Sequence, residues 1–136
     1  MAAGALERLN SSINNSATIV EMAGVDFPTP AHKAVMYDTN GNVVVATSGE
    51  NAIGVVLSSS LDPIVANNQV HIAIKYLVLL ETGGVVAKGD KVTINSNGQA
   101  VKADAGDFIF GRAFEASAAA GQVVVVQINQ MGFMPD

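Results

Sequence analysis

Residues 70–80 read VHIAIKYLVLL, and this stretch decides the fold class. One face of it carries only apolar or aromatic side chains: Val70, Ile72, Ile74, Tyr76 and Val78. The other face starts with His71, Ala73 and Lys75, an alternation with the period of two that is typical of a β-strand. From Leu77 onward both faces are apolar, which predicts that this end of the strand is covered on both sides.

Glycine-containing turns separate several more short stretches of β-forming residues. Asn40-Gly41 and Asn97-Gly98 lie between such stretches, and Asn-Gly is a strong β-hairpin signal because both residues tolerate positive φ. Residues 108–114 form an aromatic strand, in which Gly111 indicates a bulge or a close backbone approach. Residues 123–128 form a continuous apolar strand, typical of a central position. The pattern predicts an all-β fold, a small barrel or sandwich of about eight short strands, with no recognisable internal repeat.

Residues 1–30 differ from the rest of the chain, being rich in Ser, Asn and Ala and ending in Phe27-Pro28-Thr29-Pro30. Prolines favour an extended path and interrupt a hydrogen-bonded ladder. We therefore expect an extended N-terminal arm over residues 1–30 and a barrel or sandwich body over residues 31–136. An ordered first strand of the body and a disordered tail remain alternatives. The arm has more apolar residues than a free tail needs, and these are its candidate contact residues: Ile19, Val20, Met22, Val25 and Phe27.

Composition excludes several classes of function. The chain has 136 residues, no cysteine and a formal net charge of −5. Its length suits one domain, and the lack of cysteine excludes disulfides and thiolate metal sites. Lysine and arginine are few and scattered, which argues against binding to nucleic acid or to an anionic membrane. The first ten residues lack a basic region followed by an apolar run, so we expect no signal peptide.

Residues suited to catalysis or metal binding are sparse. Neither histidine, His32 or His71, has a partner at metal-ligand spacing, and no serine lies in a Gly-x-Ser-x-Gly motif. Residues 38–42 resemble the start of a calcium loop, but the twelfth position is Gly49 rather than a glutamate, so a hairpin turn is favoured. The carboxylates lie mostly in turns. We expect no enzyme activity, no metal, no cofactor and no small-molecule substrate.

Arg112 is a candidate contact residue. Strict alternation places it on the same face as Phe108, Phe110 and Phe114. Either a bulge at Gly111 resets the register, or Arg112 lies at a boundary and pairs with a carboxylate of a neighbouring chain.

Six pieces of the chain, in this order and spacing, resemble the capsid cement (head decoration) proteins of tailed bacteriophages. They are IGVV at 53–56, the strand at 70–80, GVVAKGDKV at 84–92, NGQAV at 97–101, FGRAFEA at 110–116 and AGQVVV at 120–125. The first thirty residues carry no such match.

The resemblance implies a structural protein of the virion, made in the host cytoplasm and bound to the outer surface of the capsid. It implies that the partner is the major capsid protein, whose subunits are bridged after the shell expands. It also implies self-association, commonly as a homo-trimer. The apolar residues of the arm become candidate capsid-binding residues, because an extended arm can add a strand to a neighbour's sheet edge.

Three other functions remain open. The first is a biotinyl or lipoyl carrier barrel, although neither Lys88 nor Lys91 lies in the sequence context of a modified lysine. The second is another virion component, such as the base of a head fibre or part of a tail tube. The third is a small enzyme or sugar-binding domain, which the absence of Trp and the two Tyr make less favourable.

Overall fold

The computed structural model describes residues 17–57 and 63–136, which form ten strands and no helix. The strands are β1 (Thr18–Met22), β2 (Ala34–Tyr37), β3 (Val43–Val45), β4 (Gly54–Val56), β5 (Gln69–Ala73), β6 (Tyr76–Glu81), β7 (Lys91–Ile94), β8 (Ala100–Lys102), β9 (Phe108–Ala113) and β10 (Val123–Phe133). They form two five-stranded antiparallel sheets. The all-β sandwich prediction is confirmed, with ten strands where about eight were expected.

The stretch at 70–80 is two strands rather than one. β5 belongs to the first sheet and β6 to the second, and the chain changes direction at Tyr76, whose φ is 70°. The alternation of buried and exposed side chains therefore breaks at this residue. The prediction that both faces are covered beyond it is wrong, because Leu77 and Leu79 are 57% and 44% exposed.

The two sheets repeat one topology. Their strand orders are β1-β5-β4-β2-β3 and β6-β10-β9-β7-β8, so each strand of the first sheet corresponds to the strand five places later in the chain. A parallel bridge joins the two edge strands of each sheet, Ala23 to Val43 in one and Thr82 to Ala100 in the other. The described residues therefore form a first unit (residues 17–57 and 63–74) and a second unit (residues 75–136), a repeat that the sequence did not predict.

Both predicted hairpins are confirmed, and their turns are alike. In the turn at Asn40-Gly41, one carboxylate oxygen of Asp38 accepts hydrogen bonds from the backbone N–H groups of Asn40 and Asn42, at 2.8 and 3.0 Å. The side-chain oxygen of Asn95 does the same in the turn at Asn97-Gly98. Only the glycine of each pair has positive φ, 79° and 73°. Asp38 thus organises a hairpin turn, as its sequence context predicted.

One buried cluster joins the units into a single body. It contains the interior of the second unit and also small apolar residues of the first: Ala34, Ala46, Ala52, Val55 and Ala73. The backbone N–H of Glu81 donates to the carbonyl of His32 at 2.9 Å, and the Lys33 ammonium lies 3.1 Å from the Glu81 carboxylate. A second cluster fills the interior of the first unit, around Val35, Val70 and Ile72.

Residues 17–30 pack on the body. β1 is an edge strand paired with β5, and Phe27 exchanges two backbone hydrogen bonds with Ile64. Ala23 is fully buried and Phe27 is 2% exposed. Residues 17–30 therefore match the alternative interpretation of the sequence, in which this segment includes an ordered first strand of the body. The remainder of the predicted arm, residues 1–16, lies outside the described residues.

Candidate interaction surfaces

The described residues offer little reactive chemistry. They contain no group of three or more His, Asp and Glu side chains that could hold a metal ion. His71 is exposed on β5, and His32 is half-buried in a turn with φ of 66°. No helix among these residues is long and apolar enough to cross a membrane.

A hydrogen-bonded pair of ionisable side chains on the surface, Glu21 and Tyr37, shifts the pKa of the tyrosine. The Tyr37 hydroxyl donates a hydrogen bond to the Glu21 carboxylate, linking β2 to β1. This bond, with smaller effects from burial and from the carboxylate charge, raises the pKa of Tyr37 to about 12. A more firmly held phenol proton does not suit a general base, so the pair is better read as a surface contact.

The structure divides the five candidate residues of the arm into two groups. Val20, Met22 and Val25 are 50%, 43% and 46% exposed, so a partner can reach them. Ile19 is half-buried against the first-unit cluster, and Phe27 lies within it. These two side chains pack toward the interior, so a partner can reach them less easily than the other three, and contact with a capsid remains a prediction for all five. The distinction follows the alternation of β1 and the long-range bridge from Phe27 to Ile64.

The Arg112 guanidinium donates to the carbonyl oxygen of Gly89 at 2.9 Å, and Arg112 is half-exposed. It stands opposite Lys91 on β7 and Gln127 on β10. A bulge at Gly111 is not the explanation, because the register shift lies on the β10 side, between Ile128 and Gly132.

Gly111 instead marks a close approach of two strands. A Cβ at this position would overlap the carbonyl oxygen of Gln127, so only glycine fits between β9 and β10. Gly54 occupies the corresponding place in the first unit, against the carbonyl of Ala73. Contact between Arg112 and a neighbouring chain remains a prediction.

A surface that sequence reasoning missed lies on the outer face of the second sheet. Its exposed apolar side chains are Leu77, Leu79, Phe114 and Val123. Beside it, a groove of about 140 Å³ runs between β4 and β6, lined mostly by apolar residues. The central position of β10 is confirmed, since it pairs with both β6 and β9. Residues 123–126 are four consecutive valines, so the sequence carried no alternation that could identify the exposed face of β10.

Comparisons with known proteins agree with a virion protein. The family model of phage cement proteins matches residues 60–128, just over half of the chain. The crystal structure of the head fiber gp8.5 N base of bacteriophage phi29 has a similar fold, with a TM-score of 0.66 and 19% identity. The similarity covers 86% of this chain and 97% of that one. No curated protein sequence matches. The chain belongs to the phage cement protein family.

Proposed function

We propose that this protein binds the outer surface of an expanded phage capsid and stabilises the shell by bridging subunits of the major capsid protein. The family match over residues 60–128 carries the proposal, and it supports a structural, non-enzymatic component of a phage virion. The physical features agree with such a role. The described residues form a rigid β body whose exposed apolar side chains suit contacts between proteins.

The first unit supplies the capsid contact in this proposal. β1 is an edge strand, and the bridge to β3 lies just beyond its end, at Ala23, so a strand of a capsid subunit can pair with the outer edge of β1 through main-chain hydrogen bonds. Val20 and Met22 on this strand, and Val25 after it, provide exposed apolar side chains. Residues 1–16 precede β1 and serve as the arm. Many copies on one shell gain from effective concentration, so each contact can be modest.

Truncation tests the arm. Deleting residues 2–16 leaves β1 and Phe27 in place, so the body is expected to melt as the full chain does. Its binding to expanded capsids that lack the protein should weaken, as measured by co-sedimentation. Deleting residues 1–30 is a poor test because it removes part of the core. Full binding by the shorter truncation would refute the role of residues 2–16.

A point variant tests the edge strand. Val20→Asp places a charge on the proposed contact and should reduce capsid binding. The matched control is Val85→Asp, because Val85 is also exposed, at 72%, but lies in the second unit. Equal binding by the two variants would show that β1 makes no capsid contact.

The proposal includes self-association into a homo-trimer or another closed oligomer. Proteins seldom leave a sheet edge, or a group of exposed apolar side chains, without a binding partner. Light scattering on the purified chain tests this directly, and a monomeric mass would contradict it.

A second candidate function is the base of a head fibre. The shared fold with the head fiber gp8.5 N base favours it, although 19% identity establishes only the fold. Electron microscopy of the virion separates the two. A cement protein ends at its own compact density, whereas a fibre base continues into a projecting fibre.

A further inference from the structure

Strand pairing gives a residue-by-residue correspondence between the two units. In the first unit, Ala34, Val55 and Ala73 form a row of paired residues across β2, β4 and β5. In the second unit, the row across β7, β9 and β10 is Lys91, Arg112 and Gln127. We call the first the apolar row and the second the cationic row. They occupy the same place in the same topology.

A second pair of positions corresponds in the same way. Glu21 pairs with Val70 in the first unit, as Leu80 pairs with Val124 in the second. Tyr37 is the last residue of β2 and pairs with Val43. In the same way, Ile94 is the last residue of β7 and pairs with Ala100. The hydrogen-bonded Glu21–Tyr37 pair of the first unit therefore stands where the second unit has Leu80 and Ile94.

Within the chain, the apolar row faces the second unit. Ala34, Val55 and Ala73 are at most 6% exposed, and they share one buried cluster with Leu80 and Ile94. The internal contact thus places the apolar row of one unit in the same buried cluster as the leucine and isoleucine of the other.

The corresponding surfaces at the other ends of the two units lie open. Gln127 is exposed and Lys91 and Arg112 are half-exposed, while Tyr37 is 44% exposed. Each of these two open surfaces differs from its counterpart in the internal contact, and the two differences are complementary. The apolar row is replaced by two cations and an amide, and its apolar partners are replaced by a carboxylate and a phenol.

We propose that copies of this protein associate head to tail, with the cationic row of one copy against the Glu21–Tyr37 pair of the next. The contact repeats the geometry that joins the two units inside one chain, with charge in place of apolar packing. Arg112 has donors beyond the one used on Gly89, and a carboxylate can accept from several partners. Such a heterologous contact generates a ring when its rotation closes.

The distribution of charge supports a second copy as the occupant. Five of the seven lysines and arginines lie in the second unit: Lys75, Lys88, Lys91, Lys102 and Arg112. The lysine of the first unit, Lys33, is paired with Glu81 across the internal contact. A second-unit surface therefore brings the cations that the Glu21 surface lacks.

Two charge-reversal variants test the proposal, which rests on the self-association proposed above but not on the capsid contact. Lys91→Glu/Arg112→Glu blocks one surface, and Glu21→Arg blocks the other. Each alone should be monomeric by sedimentation velocity, with self-association weakened about tenfold or more. Their equimolar mixture should associate again, because the intact surfaces of the two variants fit each other and the two reversed surfaces also carry opposite charges. Circular dichroism and thermal melting check that each variant is folded.

Lys75→Glu is the control, since it reverses a charge outside the cationic row and should associate as the wild type does. A mixture that stays monomeric overturns the proposal, as does a cationic-row variant that associates normally. A monomeric wild type overturns the proposal together with self-association. If the wild type associates and the reversals have no effect, self-association stands and the contact lies elsewhere. Capsid co-sedimentation of Lys91→Glu/Arg112→Glu, which leaves β1 unchanged, reports on the proposed function separately.

Discussion

Replacing Phe27 by alanine measures whether residues 17–30 are structural. The ring is 2% exposed and lies within the first-unit cluster. A buried phenylalanine removes roughly 200 Å² from water, which at ~25 cal/mol per Å² corresponds to about 5 kcal/mol. Measured Phe→Ala substitutions in cores cost about 3–5 kcal/mol, since the site partly collapses. We expect a loss in this range.

Urea denaturation followed by circular dichroism provides the assay. A domain has about 5–15 kcal/mol of stability, so this loss should lower the midpoint strongly while the m-value stays near that of the wild type. Val25→Ala is the matched control, because its side chain is 46% exposed and should cost less than about 1 kcal/mol. A Phe27→Ala loss below about 1 kcal/mol would refute the placement of this segment in the core and restore a detachable arm.

Two further predictions concern the Tyr37 pair and the close approach at Gly111. The folded-state pKa of Tyr37, about 12, exceeds its ordinary value of 10.0, so its contribution to stability is complete below pH 10 and is lost as pH rises toward 12. In a Tyr76→Phe background, the tyrosinate absorbance should therefore titrate above 10.0, and Glu21→Ala, which removes the acceptor, should move the midpoint down; an unchanged midpoint would rule out the hydrogen bond as the cause. Gly111→Ala should lose about 1–3 kcal/mol in thermal unfolding, because its Cβ meets a backbone carbonyl that cannot move aside. Gly84→Ala, with open space around its Cβ, is the control, and equal stability of the two variants would contradict the close approach.

Local signals predicted the strands and hairpins, whereas long-range ones were missed. Alternation and the Asn-Gly turns depend on neighbours along the chain, so they were readable. The break at Tyr76 was not, because a tyrosine with positive φ carries no local signature. Burial of Phe27 depends on Ile64, far along the chain, so its apolar character could equally indicate a contact residue.

The repeat was hidden because the two units share few residues beyond those that the backbone requires. Gly54 and Gly111 coincide since a Cβ at either would strike a carbonyl of the neighbouring strand. The turns at Asn40-Gly41 and Asn97-Gly98 coincide since each has a glycine with positive φ. Most other positions are free to differ, provided that interior residues stay small or apolar.

The interiors of the two units show how far this freedom extends. The bridge between Phe27 and Ile64 in the first unit corresponds to the bridge between Val86 and Ser117 in the second. The second unit has smaller side chains there, and the hydroxyl of Ser117 lies 2.7 Å from that of Thr82 in a fully satisfied buried pair. The interiors of the two units thus contain different side chains within the same strand topology.

The contact surfaces of the two units, which are the two rows and the residues opposite them, are subject to a different constraint. An interior must complement only itself, but a contact surface must complement a partner, so a change on one side requires a matching change on the other. The apolar row shares a buried cluster with the leucine and isoleucine of the second unit. The cationic row and the Glu21–Tyr37 pair differ from their counterparts in complementary ways, although they belong to different units. The proposed contact between copies accounts for this complementarity, because it brings the two surfaces together.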